Sequence, residues 1–348
     1  MKSKIDGIGI KAVAVTVPSN IVEVRDYVNY RDSADVARII RKTGINSLRI
    51  APPGVTTSDL CEVSARHLFN SGWDKDSICG IVFVSKTPDF FLPPTSCVLQ
   101  AKLGMGQQLL CYDTLAACCG YIVGLQLAAM ISDLHKADVL LLAGDTNSKL
   151  VNRKDFTSAV MFGDGGSASI IGPLNDNYLN FNIKNDGNRG ENAIVRAGGF
   201  RNPASVESLK IKEHERGNLR SDCHLHMNGL EMMNFVLGDA ANLIAETISE
   251  FGKDSFEIFA LHQPNAMIVK SLIDCLGLPQ GKVPIFVDGY GNISSASIPL
   301  GLCKNFQSFQ QHDGKIVQAL LSGYGGGLSW GTAVTNLANT KFLPVKEV

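Results

Sequence analysis

The sequence predicts an α/β protein with mostly parallel sheets, made of two similar halves that pack together. Short apolar runs typical of strands alternate with longer helical patterns along the chain, and this alternation indicates parallel strands joined by helices. Two stretches of the first half, 73–89 and 161–171, also resemble 252–265 and 322–334 in the second half. We therefore expect an internal duplication with its boundary near residue 175.

The individual elements follow from local composition, in chain order. The first half contains strand-like runs and helical patterns at 80–85, 95–103, 118–134, 139–145 and 168–172. The second half repeats this style at 257–263, 264–276, 284–290, 295–306 and 316–327. The polar, turn-rich segment 175–222 is predicted to be an insertion that leads into the second half. A duplicated fold of this kind should hold its catalytic groups where the halves meet, a usual place for pockets.

Composition excludes several classes of function. The chain has 348 residues, of which 45% are hydrophobic, and 32 basic residues nearly balance 33 acidic ones. A nucleic-acid-binding protein would normally carry a basic excess. No apolar stretch reaches the roughly 20 residues of a membrane-spanning helix. The opening segment MKSKIDGIGI lacks the apolar core of a signal peptide, so we expect a cytoplasmic protein.

The cysteines and histidines do not predict a disulfide framework or a metal site. The nine cysteines are odd in number, scattered and without a Cys-x-x-Cys pair, so we expect most of them to be buried as small apolar residues. His224 and His226 have no third ligand at a convincing spacing. The glycine runs GDGG and GYGGG lack the lysine of a phosphate-binding loop, which excludes nucleotide hydrolysis.

The segment CYDTLAACCGYIVGLQLAA carries the candidate nucleophile. A strand runs into a small-residue turn, and a long apolar helix is predicted to begin at Cys118. A helix start carries free N–H groups and partial positive charge, which would stabilise a thiolate and lower the pKa of Cys118. The alternative is a cysteine packed in the core. Cys119 would point about 100° away around the helix, and we expect it in the core.

Two other segments hold polar groups that could assist a thiolate. His262 ends a buried strand, with Asn265 after it, and Asn292 follows a glycine turn. Alone, His262 could bond to backbone and Asn292 could cap the next helix. Together they make a set, because histidine can exchange the proton of a thiol, and a His–Asn pair offers N–H donors to a thioester carbonyl or an enolate. The glycine run 325–327 would let backbone approach the reacting carbonyl.

These motifs resemble those of the ketoacyl synthase III (β-ketoacyl-acyl-carrier-protein synthase III) family of the thiolase superfamily. The matching residues cover nearly the whole chain in the family's order: Ala116-Ala117-Cys118 with Gly120, Phe162-Gly163-Asp164-Gly165, His262-Gln263-x-Asn265, Gly291-Asn292 with Ser297-Ile298-Pro299-Leu300, and Gly325-Gly326-Gly327 with Trp330-Gly331. The resemblance implies a homodimer and the five-layered αβαβα thiolase fold. Its N-terminal half, 1–174, would carry the nucleophile, and its C-terminal half, 175–348, the histidine and the asparagine.

The resemblance also implies roles for individual residues. Cys118 would be acylated by a thioester donor, with the oxyanion held by the backbone N–H groups of Cys118 and Gly326. His262 and Asn292 would assist attack by a malonyl thioester that loses carbon dioxide. No bound cofactor is implied, since coenzyme A or acyl carrier protein delivers the thioesters as substrates. Further contacts with substrate or coenzyme A are implied for Arg38, Lys42, Leu92, Phe156, Met227, Gly229, Met233 and Asn265.

The sequence departs from the family pattern where the substrates bind. Arg38 and Phe156 stand where a tryptophan and an arginine usually grip the adenine of coenzyme A. They could sandwich the base from exchanged sides, or the site could no longer bind adenine. Lys42 replaces an arginine and keeps only its charge. Leu92 replaces a phenylalanine of the acyl tunnel across the dimer, which suggests an acyl pocket of altered shape.

The positions that usually meet the carrier protein are altered as well. Three of them, basic in the family, are Asn234, Met267 and Asp274 here. Docking of an acidic carrier protein relies on complementary charge. Either the carrier protein docks elsewhere, for example through Lys270, or the acceptor is a different molecule.

Three functions are compatible with these observations. The first is a ketosynthase that condenses acyl-Cys118 with a malonyl thioester, in fatty-acid initiation or in a secondary or glycan pathway. The second is an acyltransferase on the same fold, with His262 as a base that activates an amine or hydroxyl acceptor. The third is a non-catalytic partner subunit, which the complete Cys–His–Asn set disfavours.

Overall fold

The computed structural model describes residues 1–305 and 316–348 of the chain. The described strands are β1 (Lys2–Val17), β2 (Ile21–Glu23), β3 (Ser47–Arg49), β4 (Ile78–Val84), β5 (Leu110–Thr114), β6 (Asp138–Thr146), β7 (Asp164–Asn185), β8 (Ala193–Val195), β9 (Lys212–His214), β10 (Asn218–Arg220), β11 (Leu225–Met227), β12 (Ile258–Leu261), β13 (Gln318–Gly325), β14 (Ser329–Asn336), β15 (Lys341–Phe342) and β16 (Lys346–Glu347). The described α-helices are α1 (Val24–Tyr27), α2 (Ser33–Thr43), α3 (Thr57–Asn70), α4 (Thr95–Lys102), α5 (Gly120–His135), α6 (Phe156–Ala159), α7 (Val206–Leu209), α8 (Gly229–Phe235), α9 (Ala241–Phe251), α10 (Ala266–Leu276) and α11 (Ser297–Asn305). Phe306, the last residue of the predicted helix 295–306, lies outside the described residues.

A ten-stranded mixed sheet forms the frame of the described chain. Its order is β12-β13-β14-β7-β6-β4-β5, and β1 pairs with β7, β15 and β16. The outer strands are parallel, β4 with β5 and β6, and β12 with β13. The strands at the centre are antiparallel, because β14 returns from β13 through a short turn rather than a crossover helix. The prediction of mostly parallel sheets is therefore wrong for the centre.

Alternate strand residues face different cores, and this divides the described chain into five layers. The central core holds α5 and α11 together with strand residues from opposite ends of the sheet, among them Val82, Leu141, Ala260 and Leu321. One outer core packs α3 and α4 against Phe83, Leu140 and Leu142. The other packs α9 and α10 against Phe259, Leu261 and Leu320. The order of layers is thus helices, strands, helices, strands, helices.

The repeated phrases of the sequence fold alike. Lys75–Ser77 and Lys253–Ser255, the shared Lys-Asp-Ser motif, each form a 3-10 turn that leads into β4 or β12. The long strand β7 crosses the predicted boundary near residue 175; its first part pairs with β6 and its second part with β14. The strands on the β6 side and those on the β14 side therefore share β7, and the division of the chain into two halves stays a prediction.

One predicted strand is absent. The run 284–290 has no strand ladder, although its consecutive apolar residues are typical of a buried strand. The side chain of Gln263 replaces a neighbouring strand, because its amide donates to Pro284 O and accepts from Phe286 N. A side chain that bonds the backbone in this way competes with sheet pairing.

Within residues 1–305 and 316–348, no helix is both long enough and apolar enough to span a membrane.

Candidate active site

Cys118 lies in the turn between β5 and α5, in the central layer. Gly120 N donates to Ala117 O at 2.7 Å and closes the turn, so α5 begins at Gly120 and not at Cys118 as predicted. The chain uses this tighter bond before the regular helical ladder starts, as helix ends often do. Cys118 is partly exposed, whereas Cys119 is buried, as expected.

Glycines bring the end of β13 against the nucleophile. A Cβ on Gly325 would lie 2.8 Å from the Cβ of Cys118, which is closer than side chains approach each other. A Cβ on Gly326 would lie 3.9 Å from the Cβ of Ala117. The run 325–327 therefore lies beside the nucleophile, where its backbone N–H groups can reach an oxyanion formed there.

His262 follows β12 directly and is fixed on several sides. Its side chain is 1% exposed, and Nδ1 lies 2.7 Å from the hydroxyl of Ser297 at the start of α11. Tyr324 holds the backbone by donating from its hydroxyl to His262 O at 2.6 Å, and its ring contacts the imidazole edge to face. With Nδ1 bonded to Ser297, Nε2 is the nitrogen available to the reacting atoms.

Asn292 is held by a glycine turn that precedes α11. Gly291 has a φ of 72°, which favours glycine, and Asn292 N donates to Met161 O at 2.7 Å. The side-chain oxygen accepts from Ser294 N at 2.9 Å and leaves the NH₂ group to face a substrate. Since α11 begins only at Ser297, Asn292 forms a local Asx-type turn rather than the cap of that helix.

The thiol of Cys118 is activated by its surroundings. Burial by itself raises the pKa of Cys118, but the charge and hydrogen bond of His262 outweigh that effect. The charge of Lys86 and the hydroxyl of Ser294 act in the same direction, and together these groups lower the pKa of Cys118 to about 7. The predicted fall in the pKa of this thiol is confirmed. The groups that lower the pKa are the side chains of His262, Lys86 and Ser294 rather than a helix start.

Sequence reasoning missed Lys86 and gave no role to Ser294 or Ser297. Lys86 Nζ lies 3.0 Å from Ser294 Oγ, and Ser294 Oγ donates to Cys118 Sγ at 3.5 Å. The available signal for Lys86 was a lysine two residues after the apolar strand β4, inside a repeated stretch of the sequence. For the two serines it was their position at the start of an apolar helix, beside Asn292.

The predicted coenzyme contacts of the first half lie at the surface. Arg38 and Lys42 are exposed on α2, and Arg38 pairs with Asp35 at 2.5 Å. Phe156, half-buried at the start of α6, has one ring face covered by the guanidinium of Arg31, 5.3 Å from the ring centre. Sequence reasoning missed Arg31. The sandwich of Arg38 and Phe156 around a base stays a prediction.

The other predicted substrate contacts are spread over several elements. Met227 ends β11, Gly229 starts α8, and Met233 packs from α8 on the outer core of α9 and α10. Leu92 is 82% exposed before α4. Asn265 is buried and caps α10 by accepting from Ile268 N at 2.9 Å, which gives this residue a structural task. Their contacts with substrate stay predictions.

The remaining cysteines and histidines have ordinary surroundings. All nine cysteines are free, but only Cys61 and Cys119 are buried, so the prediction that most cysteines are buried is wrong. Five are partly exposed, and Cys97 and Cys275 are exposed. His224 bonds to Ser221 in the turn before β11.

The family comparison covers both parts of the site. A family profile for 3-Oxoacyl-[acyl-carrier-protein (ACP)] synthase III matches residues 112–187. A profile for the C terminal part of 3-Oxoacyl-[acyl-carrier-protein (ACP)] synthase III matches residues 248–337. The first range includes Cys118, and the second includes His262 and Asn292.

Individual relatives agree over nearly the full length. The chain is 32% identical over 336 residues to the beta-ketoacyl-[acyl-carrier-protein] synthase III of Natranaerobius thermophilus, covering 93% of this chain and 98% of that protein. It is 31% identical to a putative 3-oxoacyl-[acyl-carrier-protein] synthase 3 of Campylobacter jejuni, covering 97% of this chain and 96% of that protein. A crystal structure of a 3-oxoacyl-(acyl-carrier protein) synthase from Burkholderia xenovorans is similar at a TM-score of 0.92 and 32% identity, over 100% of this chain and 99% of that chain.

Proposed function

The chain belongs to the 3-oxoacyl-[acyl-carrier-protein] synthase III family, and on that premise we propose a two-step reaction centred on Cys118. It has the thiolase fold and is an acyltransferase of the ketoacyl synthase III type, as predicted. In the proposed reaction an acyl group passes from a thioester donor to Cys118 and is then condensed with a malonyl thioester. The observation that carries the proposal is an activated thiol flanked by His262 and by the turn of Asn292 and Ser294.

In the first step the Cys118 thiolate attacks the thioester carbonyl of the donor. A bond forms between Sγ and the carbonyl carbon, and the donor thiolate leaves when the tetrahedral intermediate collapses. The backbone N–H groups of Cys118 and Gly326 hold the oxyanion, which is a large term in acyl transfer because the donors are fixed before charge develops. With a pKa of about 7, Cys118 is substantially ionised at neutral pH.

In the second step the malonyl thioester loses carbon dioxide and leaves an enolate. His262 Nε2–H and the NH₂ group of Asn292 donate to its oxygen. Ser297 can support this tautomer by donating its hydroxyl proton to Nδ1 over 2.7 Å. The enolate carbon then attacks the acyl carbonyl, the bond from that carbon to Sγ breaks, and Cys118 is restored as a thiolate beside the β-ketoacyl product.

A second candidate is acyl transfer from Cys118 to an amine or hydroxyl, with His262 as the base. The surface where a carrier protein is expected to dock favours this second candidate. Two exposed residues on that surface are not basic, since Asn234 is uncharged and Asp274 is acidic. An acidic partner gains no steering from these positions. Lys270 is exposed on the same helix as Asp274 and offers a basic contact that keeps carrier-protein docking open.

The substrates and the assembly belong to the same proposal. Coenzyme A or carrier-protein thioesters serve as substrates, no resident cofactor takes part, and the enzyme works in the cytoplasm. We infer a homodimer because β5 is the outermost strand of its sheet and lies near exposed Phe91, Leu92 and Leu115. Such an unpaired, apolar edge is suited to pairing with a second copy. Light scattering after gel filtration tests this, and a monomeric mass contradicts it.

Intact-protein mass spectrometry tests the reaction itself. Wild type and Cys118→Ala are incubated with a panel of acyl-coenzyme A donors, and malonyl-carrier protein or small amines are added afterwards. The proposal expects a mass gain in the wild type alone, and its discharge by the malonyl thioester. Discharge only by amines selects the second candidate. Equal labelling of both proteins, or labelling of neither, refutes covalent catalysis at Cys118.

A further inference from the structure

Lys86 is a cation placed deep beside the nucleophile, with no part in the two-step reaction. It lies two residues after the end of β4, and its side chain is 16% exposed. Its ammonium group lies 3.0 Å from a carboxylate oxygen of Asp145, which is 0% exposed on β6. Placing a lysine in this layer costs solvation of its charge, and Asp145 compensates for that cost. A packed apolar side chain at this position would need no such partner.

The other contacts of Lys86 give its ammonium group a fixed direction. Nζ donates to Asn147 Oδ1 at 2.6 Å and to Ser294 Oγ at 3.0 Å. The amide of Asn147 cannot turn over without loss, because its Nδ2 donates to Gly163 O at 2.8 Å and to Asn292 O at 3.1 Å. An ammonium has three donors and no acceptor. All three are therefore used, one each on Asp145, Asn147 and Ser294.

This count determines what the hydroxyl of Ser294 can do. Since Lys86 can only donate, Ser294 Oγ must accept from it, and the single hydroxyl proton is left for another acceptor. That acceptor is Cys118 Sγ, 3.5 Å away. Ser294 is 0% exposed and has a φ of 55°, a conformation that side-chain-bearing residues rarely adopt.

We propose that Lys86 is a positioning residue, which holds the Ser294 hydroxyl as a hydrogen-bond donor to the Cys118 thiolate through the chain Lys86 Nζ, Ser294 Oγ, Cys118 Sγ. The same ammonium group reaches the turn of Asn292 through Asn147, so one cation orders both the nucleophile and the asparagine. The inference rests on Cys118 being the nucleophile of the proposed function. It concerns the state of the free thiol before any thioester binds.

The charged and titratable groups around the thiol come from several elements. His262 after β12 and Lys86 after β4 favour the thiolate, and Asp145 on β6 lies behind Lys86 and partly offsets its charge. Burial raises the pKa values of Cys119 and Tyr324, so both remain neutral in the working range. Loss of Lys86 therefore removes one of the groups that favour the thiolate, and the pKa of Cys118 should rise.

The test measures alkylation of Cys118 by iodoacetamide against pH, with the label located by peptide mass spectrometry. For wild type the midpoint is expected near the pKa of about 7. In Lys86→Met the midpoint should rise by about one pH unit, which is about a tenfold smaller thiolate fraction below it. Lys86→Met leaves Asp145 without its cation, so Lys86→Met/Asp145→Asn is made alongside as a neutral pair that keeps the fold. Thermal unfolding confirms that each variant is folded.

Lys11→Met is the matched control. Lys11 pairs with Asp138 at 2.8 Å, at the other end of the same strand β6, and is 23% exposed. Its removal should leave the midpoint of Cys118 unchanged. A wild-type midpoint in the folded Lys86→Met/Asp145→Asn protein, or an equal rise in Lys11→Met, overturns the proposal. Because no thioester is used, this result is independent of whether the proposed condensation is correct.

Ser294→Ala distinguishes an effect of Lys86 that passes through the Ser294 hydroxyl from a direct effect of its charge on the Cys118 thiolate. If Lys86 acts through Ser294, Lys86→Met should shift the alkylation midpoint of the Ser294→Ala protein by less than half as much as it shifts the midpoint of wild type. Such a reduced shift is expected for coupled residues. An equal shift in both backgrounds overturns the positioning role, because the cation would then act on the thiolate across space.

Discussion

Replacing Ser297 by alanine should slow discharge of the acyl enzyme far more than its formation. The Ser297 hydroxyl lies 2.7 Å from Nδ1 of His262, and both side chains are 1% exposed. With the hydroxyl gone, Nδ1 loses this partner where water has little access, and such a loss costs about 1–3 kcal/mol. At about 1.4 kcal/mol per factor of ten, discharge should slow by about 5- to 150-fold. Acylation of Cys118 depends less on the bond between Ser297 and His262. The effect of His262 on the thiolate does not require the proton to stay on one particular ring nitrogen.

The assay separates the two steps. The protein is first loaded with an acyl-coenzyme A donor and freed of it, and loss of the acyl mass is then followed after a malonyl thioester is added. Ser295→Ala is the matched control, since the Ser295 hydroxyl is buried in the same turn and has no hydrogen-bond partner among the described residues. Discharge at the wild-type rate in Ser297→Ala, or equal slowing in Ser295→Ala, would refute the role given to Ser297.

Three further predictions concern reactivity and packing. Site-resolved alkylation should label Cys118 with a midpoint near pH 7 and Cys111 only near pH 11, because burial and the neighbouring Cys97 raise the pKa of Cys111 to about 11; a shared midpoint contradicts this. Gly163→Ala should lower the free energy of unfolding by about 3 kcal/mol in chemical denaturation, because the added Cβ would overlap Tyr290 O. Gly281→Ala is the control, since a Cβ there would meet open space and should change the free energy of unfolding little. Gly325→Ala should reduce acylation of Cys118 at least tenfold, because its Cβ would push on the nucleophile, and an unchanged mass-gain rate would exclude that contact as important.

The sequence was most informative where a chemical group lies at the end of an element. Cys118, His262 and Asn292 each follow a strand or a glycine turn, and the direction of the chain brings such ends together in an α/β fold. The mixed sheet was less predictable. Whether β14 follows β13 through the short turn 326–328, or through a crossover helix, depends on packing rather than on the local sequence pattern. The run 284–290 shows the same limit, because the bonds of Gln263 that replace its ladder come from a residue distant in sequence.

The position of Lys86 after a strand was too weak a signal by itself, because its role depends on three contacts that are remote along the chain. Asp145, Asn147 and Ser294 are separated from it by 59, 61 and 208 positions. A lysine after a strand normally extends to solvent, and nothing local indicates that this one is buried. The pairing of β4 with β6 places Asp145 beside it, and the turn before α11 adds Ser294.

A single site forms at the centre because two turns that precede helices meet there. The turn before α5 carries the nucleophile, and the turn before α11 carries Asn292 and Ser294. These helix starts touch, since a Cβ on Gly120 would lie 3.2 Å from the Cβ of Ser295. Two helix N-termini facing each other concentrate N–H donors and positive potential in one place. These donors favour an oxyanion and an enolate in turn, while His262, Lys86 and Ser294 favour the thiolate, so one arrangement can serve both steps of the proposed reaction.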